Sequence, residues 1–112
     1  MALQASQTVS AGALSTPAAI TPSASDTIAA ASFGVNGVLL RVITTGTATN
    51  VVVLDPGSTP SGNAGSPPTL AAPATGVRET LIPRSAINAA TGVATVTFSG
   101  ALTGVTYELK RV

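Results

Sequence analysis

Apolar and polar residues alternate most clearly in the C-terminal part of the chain, at residues 93–98 and 105–112. The apolar positions are Ala94, Val96 and Phe98 in the first segment and Val105, Tyr107 and Leu109 in the second. A period of two residues is typical of β-strands with one buried face. The connection, residues 99–104, has a glycine near each end. We therefore predict a β-hairpin made of these two strands.

Two further segments, residues 38–44 and 49–54, are apolar on both faces. Such a pattern is typical of strands that are covered on both sides. The dipeptide Asn36-Gly37 precedes the first segment and predicts a tight turn. Only a short connection separates the two segments, so we expect them to pair with each other.

Weaker signals predict the remaining elements. Residues 26–33 are expected to form a short edge strand, with a helical turn capped by Asp26 as the alternative. Residues 77–82 are expected to form another short strand, and Ser85 is expected to cap a short helical turn that Gly92 closes. About seven short strands with almost no helix predict an all-β fold, either an antiparallel β-sandwich or a jelly-roll-like domain. This domain would span residues 26–112.

Residues 1–25 are expected to form an extended N-terminal arm, because they are rich in Ala, Ser, Thr and Pro and fit neither a helical face nor a long strand. One alternative is a disordered tail. The other is an arm that is disordered in the free subunit and becomes ordered when it adds a strand to the sheet edge of a neighbouring subunit. In that case residues 2–22 should be removable without unfolding the domain. Four apolar side chains would then contact the partner: Leu3, Val9, Leu14 and Ile20.

A long loop is expected at residues 56–76, where five prolines lie among Gly, Ser, Thr, Ala and Asn. That proline density excludes a core strand. A loop of this length in a small domain is usually either functional or disordered. If it is functional, contact with a neighbouring molecule is the expected role.

The composition limits the chemistry that is open to the chain. With no His and no Cys, it cannot build a Ser-His-Asp or Cys-His arrangement or a thiolate metal site, and its four carboxylates fall on separate predicted elements. A glycosidase-like pair of carboxylates is the alternative that stays open. We expect no enzymatic activity, no catalytic residues, no cofactor and no metal.

Charge and hydropathy exclude two classes of partner. A net charge of +1, from five basic and four acidic residues, provides no field that would attract nucleic acid. No segment approaches the roughly 18 apolar residues of a membrane span, and the N-terminus lacks the features of a signal peptide. We therefore expect synthesis in the cytoplasm, with neither nucleic acid nor membrane as a partner.

Two arginines interrupt this apolar pattern. Arg41 lies in the middle of an apolar strand, and Arg84 follows a proline at a strand end. Each either extends its charged group to solvent beside its own chain or pairs with a carboxylate or carbonyl of a neighbouring subunit. Both are therefore candidate partner-binding residues.

The arrangement of the whole chain resembles the small decoration proteins on the capsids of tailed bacteriophages. The resemblance lies in the Ala/Ser/Thr-rich arm followed by three segments: residues 38–43, 51–54 and 81–98. It implies a structural virion protein, assembled in the host cytoplasm, that binds the major capsid protein on the outer surface of the lattice and stabilises the head. The alternative is a module of a head fibre, tail or receptor-binding apparatus that contacts the host surface.

The core is expected to be thin, because the chain has only two Phe, one Tyr and no Trp. Small cores are often completed by oligomerisation. A homo-oligomer is therefore expected, and the three-fold sites of the capsid lattices that the resemblance implies favour a trimer.

Overall fold

The computed structural model describes residues 2–9, 11–14, 16–57, 61 and 69–112. Much of the predicted loop at residues 56–76 lies outside these ranges, so its contact with a neighbour stays a prediction. Its C-terminal end was predicted wrongly, because residues 70–72 and 75–76 belong to strands. The described residues form nine strands: β1 Ala2–Gln4, β2 Gln7–Thr8, β3 Ser25–Ala29, β4 Val38–Thr45, β5 Thr49–Val53, β6 Leu70–Ala72, β7 Thr75–Ile82, β8 Val93–Ser99 and β9 Val105–Arg111. Two short 3-10 helices, Ala30–Ser32 and Arg84–Ala86, are the helical elements of the described chain.

The strands form two mixed sheets. The first sheet has the order β1-β3-β8-β5-β6 and the second has the order β2-β9-β4-β7. The two N-terminal strands run parallel to their neighbours β3 and β9, whereas the other pairs are antiparallel. The prediction of an all-β fold is therefore confirmed, but the sheets are mixed, where we expected antiparallel pairing alone.

The core lies between the two sheets and follows the predicted alternation. The buried apolar side chains of the first sheet are Ile28, Val51, Ala72, Ala94, Val96 and Phe98, and those of the second are Val38, Leu40, Val42, Ile82, Val105, Tyr107 and Leu109. The rings of Phe98 and Tyr107 stack across the interface with their centroids 5.0 Å apart. Side chains from both sheets thus share one apolar layer.

The predicted C-terminal hairpin is wrong, because β8 and β9 lie in different sheets. Strand β8 pairs with β3 and β5, and β9 pairs with β4 and β2. Alternation identifies the buried face of a strand but does not identify its neighbour in the sheet. The connection between β8 and β9 is long enough to cross the roughly 10 Å between two packed sheets.

The expected pairing of residues 38–44 with residues 49–54 is wrong for the same reason. Strand β4 pairs with β7 and β9 in the second sheet, whereas β5 belongs to the first. Gly46, with a φ of +118°, lies in the connection between them. Adjacency in sequence therefore led to the wrong partner twice.

The turns match the sequence in part. Gly34 and Gly37 exchange two backbone hydrogen bonds of 3.0 and 3.1 Å, which confirms the turn before β4. Pro83, and not Ser85, stands at the N-cap of the second 3-10 helix, and no side chain caps this helix. The expected strand at residues 26–33 ends at Ala29, and the first 3-10 helix begins at Ala30.

Candidate functional site

The N-terminal residues lie along the edges of both sheets of their own chain. Strand β1 adds to β3, with Leu3 opposite Thr27, and β2 adds to β9, with Gln7 opposite Lys110. These pairings cover only three and two residues. A strand this short contributes few backbone hydrogen bonds, so the edge contact is small.

The four predicted anchors divide into two groups. Leu3, Val9 and Leu14 are exposed, by 66%, 58% and 105% respectively. Ile20 instead packs against the core, and its backbone exchanges hydrogen bonds of 2.7 and 3.0 Å with Tyr107. Three anchors are thus accessible to a partner, whereas Ile20 belongs to the packing of its own domain.

Side chains hold the N-terminal segment at a few points. Gln7 receives hydrogen bonds at Oε1 from Lys110 Nζ and from the backbone N–H of Ala18, the latter at 3.2 Å. The hydroxyl of Ser6 donates to the carbonyl of Ser32. These contacts are polar and lie at or near the surface, so each is expected to stabilise the docked segment only modestly.

Arg41 lies on the outer face of the second sheet between two glutamates. Glu108 on β9 and Glu79 on β7 are its register neighbours on either side. Arg41 Nη1 is 3.7 Å from Glu108 Oε1, and Lys110 Nζ is 4.0 Å from the same oxygen. Arg41 Nε and Glu108 Oε1 are buried without a hydrogen-bond partner in the described chain. Since 41% of the Arg41 side chain is exposed, the arginine can still accept a second anionic partner.

Three cross-strand pairs line the outer surface of β4 and β7. Leu39 faces Leu81, Arg41 faces Glu79, and Ile43 faces Val77. We call these six residues the β4–β7 face. Leu81 and Val77 are 50% and 40% exposed. Within the described part of the chain, the Glu79 carboxylate has no cation within 4.0 Å, so this face presents apolar side chains around an unpaired carboxylate.

The other predicted arginine is bound inside its own chain. Arg84 Nη1 donates hydrogen bonds to the carbonyls of Phe33 and Gly34, at 3.3 and 3.1 Å. Those carbonyls flank the turn before β4. Arg84 therefore ties this turn to the segment after β7, while its side chain stays exposed. Its role in binding a partner stays a prediction.

The buried contact between Asp26 and Tyr107 was not predicted from the sequence. Tyr107 Oη donates to Asp26 Oδ2 at 2.6 Å, and both residues are 1% exposed. Burial raises the pKa of the Tyr107 hydroxyl well above its ordinary range, and the hydrogen bond to Asp26 and the charge of Asp26 raise it further. The alternation had placed Tyr107 in the core, and a buried tyrosine hydroxyl requires a partner. That requirement was the signal available in the sequence.

An open cleft of about 300 Å³ lies between β6 and β7, the edge strands of the two sheets. Its wall is mainly apolar and includes Leu40, Val42, Val51 and Leu70, and Arg78 and Thr80 contribute polar groups. In the residues that the structure describes, no group of three or more acidic side chains could hold a metal ion. The described helices are also too short to cross a membrane.

No protein-family model, no curated protein and no solved structure matches this chain.

Proposed function

We propose that the protein is a structural virion protein that binds the outer surface of the major capsid lattice of a tailed bacteriophage and stabilises the head. The proposal rests on the resemblance of the chain to capsid decoration proteins. The observation that carries it furthest is the exposure of Leu3, Val9 and Leu14 on one N-terminal segment. Three apolar side chains within 12 residues would leave water on binding, and each would favour the bound state.

In this proposal the N-terminal segment that carries Leu3, Val9 and Leu14 acts as an arm on a sandwich-like or jelly-roll-like domain, whereas Ile20 stays packed on that domain. The short pairings of β1 and β2 and the surface contacts of Gln7 hold the arm on its own sheets in the free subunit. On the particle the arm lies on a capsid protein or a neighbouring subunit. The arm makes few contacts with its own domain, so little free energy is lost when it moves to the partner. Backbone pairing with a sheet edge of the partner would replace the lost contacts.

A capsid-binding experiment tests the proposal. Heads of the encoding phage that lack the protein are mixed with the full chain, and bound protein is measured after sedimentation of the particles. We expect saturable binding and heads that resist heat or osmotic shock better when decorated. The triple variant L3S/V9S/L14S should bind at least roughly tenfold more weakly, because three apolar contacts are lost.

A matched control replaces Val35, which is 90% exposed in the turn before β4, with Ser. This variant loses an exposed apolar side chain outside the arm and should bind as the unchanged chain does. Failure of the full chain to bind heads would reject capsid decoration. Binding that is unchanged in the triple variant would retain decoration but reject the role of the arm.

A further inference from the structure

The β4–β7 face is complementary to a second copy of itself. Its middle pair carries opposite charges, Arg41 on β4 and Glu79 on β7, and its two outer pairs are apolar. Packed sheets lie roughly 10 Å apart with their strands nearly aligned. A second copy of the face can pack on the first through a two-fold axis. This axis lies midway between the two facing sheets and runs parallel to their strands. The rotation therefore places β4 of one copy over β7 of the other.

In this arrangement each side chain meets a suitable partner. Arg41 of one copy lies over Glu79 of the other, and the symmetry repeats the pair. Leu39 lies over Leu81, and Ile43 lies over Val77, so apolar side chains meet apolar side chains. A two-fold axis across the strands would instead place Arg41 over Arg41 and Glu79 over Glu79. The charges therefore select one of the two face-to-face arrangements.

We infer that the β4–β7 face is a binding surface for a second copy of this chain. Two observations favour a second copy of this chain over an unrelated protein as the partner. Glu79 has no cation within 4.0 Å in the described chain, while the guanidinium of Arg41 is only partly used by Glu108. The contact satisfies both groups at once and covers Leu81 and Val77, the two most exposed apolar side chains of the face. This inference does not depend on the proposed function.

The size of the face sets the expected strength of the contact. A face that is two strands wide is smaller than the roughly 800 Å² per partner of a standard interface. We therefore expect a dimer that dissociates at micromolar concentrations. A two-fold contact also predicts a dimer, or an even-numbered assembly of dimers, where the thin core led us to expect a trimer.

Sedimentation velocity of the full chain, from low micromolar to submillimolar concentration, tests the inference. We expect reversible dimerisation of the unchanged chain. The variant E79R should weaken it at least roughly tenfold, because the introduced guanidinium of one copy would lie over Arg41 of the other. Asp55→Arg makes the same change in charge at an exposed position in the first sheet's loops and should leave dimerisation unchanged.

A second matched pair tests the apolar part of the contact. Leu81→Gln should weaken dimerisation, whereas Val35→Gln, at an exposed apolar residue that is not part of the face, should not. All four substituted side chains are exposed, so the variants are expected to fold, which far-UV circular dichroism checks. The inference is overturned if the unchanged chain is monomeric throughout, if it forms a trimer, or if E79R and L81Q associate as their controls do.

Discussion

The hydroxyl of Tyr107 donates a 2.6 Å hydrogen bond to Asp26, and this bond joins the two sheets of the domain. Tyr107 lies on β9 and Asp26 on β3, 81 residues apart in sequence. The ring of Tyr107 also stacks on Phe98 of β8. One tyrosine therefore contributes both an apolar and a polar contact between the sheets, and it is the only tyrosine in the chain.

Replacing Tyr107 with Phe should remove the polar contact and keep the stacked ring. We expect the free energy of unfolding to fall by about 1–3 kcal/mol, because the buried Asp26 loses a hydrogen-bond donor. Urea unfolding monitored by circular dichroism measures this loss. Ser85→Ala serves as the control, since Ser85 caps no helix, and should change stability by no more than about 0.5 kcal/mol. Equal losses in the two variants would contradict the assigned contact.

Stability should fall at alkaline pH because of Tyr107. Its pKa in the folded chain is raised above the value of about 10 expected in the unfolded chain. The folded state therefore keeps a proton that the unfolded state releases. The contribution of protonated Tyr107 to the free energy of unfolding is fully present below about pH 10. Above that pH this contribution falls by about 1.4 kcal/mol per pH unit.

Absorbance at the phenolate band tests this directly, since the chain has a single tyrosine. Ionisation should appear together with unfolding and not before it. The variant Y107F controls for the titration of lysine, and the difference between the two pH profiles isolates the tyrosine. A phenolate signal near pH 10 from a chain that is still folded would contradict the buried hydrogen bond.

Alanine substitutions at two glycines should distinguish the cost of a steric clash from the cost of backbone strain alone. Gly37 and Gly46 have φ angles of +103° and +118°. A Cβ atom at Gly37 would lie 2.2 Å from the carbonyl oxygen of Ile82, whereas at Gly46 nothing lies within 4 Å. We expect Gly46→Ala to cost about 1–2 kcal/mol and Gly37→Ala to cost roughly 3 kcal/mol or more. Thermal unfolding of both variants measures the difference in stability. Equal losses would contradict the close approach of Gly37 to the carbonyl of Ile82.

Truncation should distinguish the accessible segment from the residues that belong to the domain. Removing residues 2–14 takes away β1, β2 and three exposed apolar side chains, and should lower the Tm by less than about 8 °C. Removing residues 2–22 also takes away Ile20, which packs on the core, and the buried Pro22. We expect that change to lower the Tm by roughly 10 °C or more beyond the first.

From the sequence, residues 2–22 were expected to be removable without unfolding the domain. The structure limits the removable segment to residues 2–14. Circular dichroism melting curves of both truncated chains provide the measurement. If the two truncations melt at the same temperature, Ile20 and Pro22 do not contribute to the packing as the structure describes.

Side-chain orientation was predicted well for β8 and β9, whereas β4, which was expected to be covered on both sides, fully buries only one face. The alternating residues of β8 and β9 are buried as expected, because burial of one strand face imposes a period of two. Strand partners were predicted badly. A short polar connection with glycines can form a hairpin or cross between sheets, and the residues of the connection do not decide which.

The candidate contacts were predicted unevenly for a similar reason. The scattered apolar residues Leu3, Val9 and Leu14 are exposed as an arm would require, whereas Ile20 is not. Composition alone could not separate Ile20 from the others, since its burial depends on backbone pairing with the distant Tyr107. The Arg41–Glu79 pair depends on strand register in the same way.

Cryo-electron microscopy of the phage virion that the proposal implies tests the central proposal most directly. The proposal predicts density for this domain at regular sites on the outside of the capsid lattice, with the N-terminal residues in contact with the major capsid protein or a neighbouring subunit. Density confined to a tail or head fibre would support the alternative role at the host surface. A virion that lacks the protein altogether would contradict both.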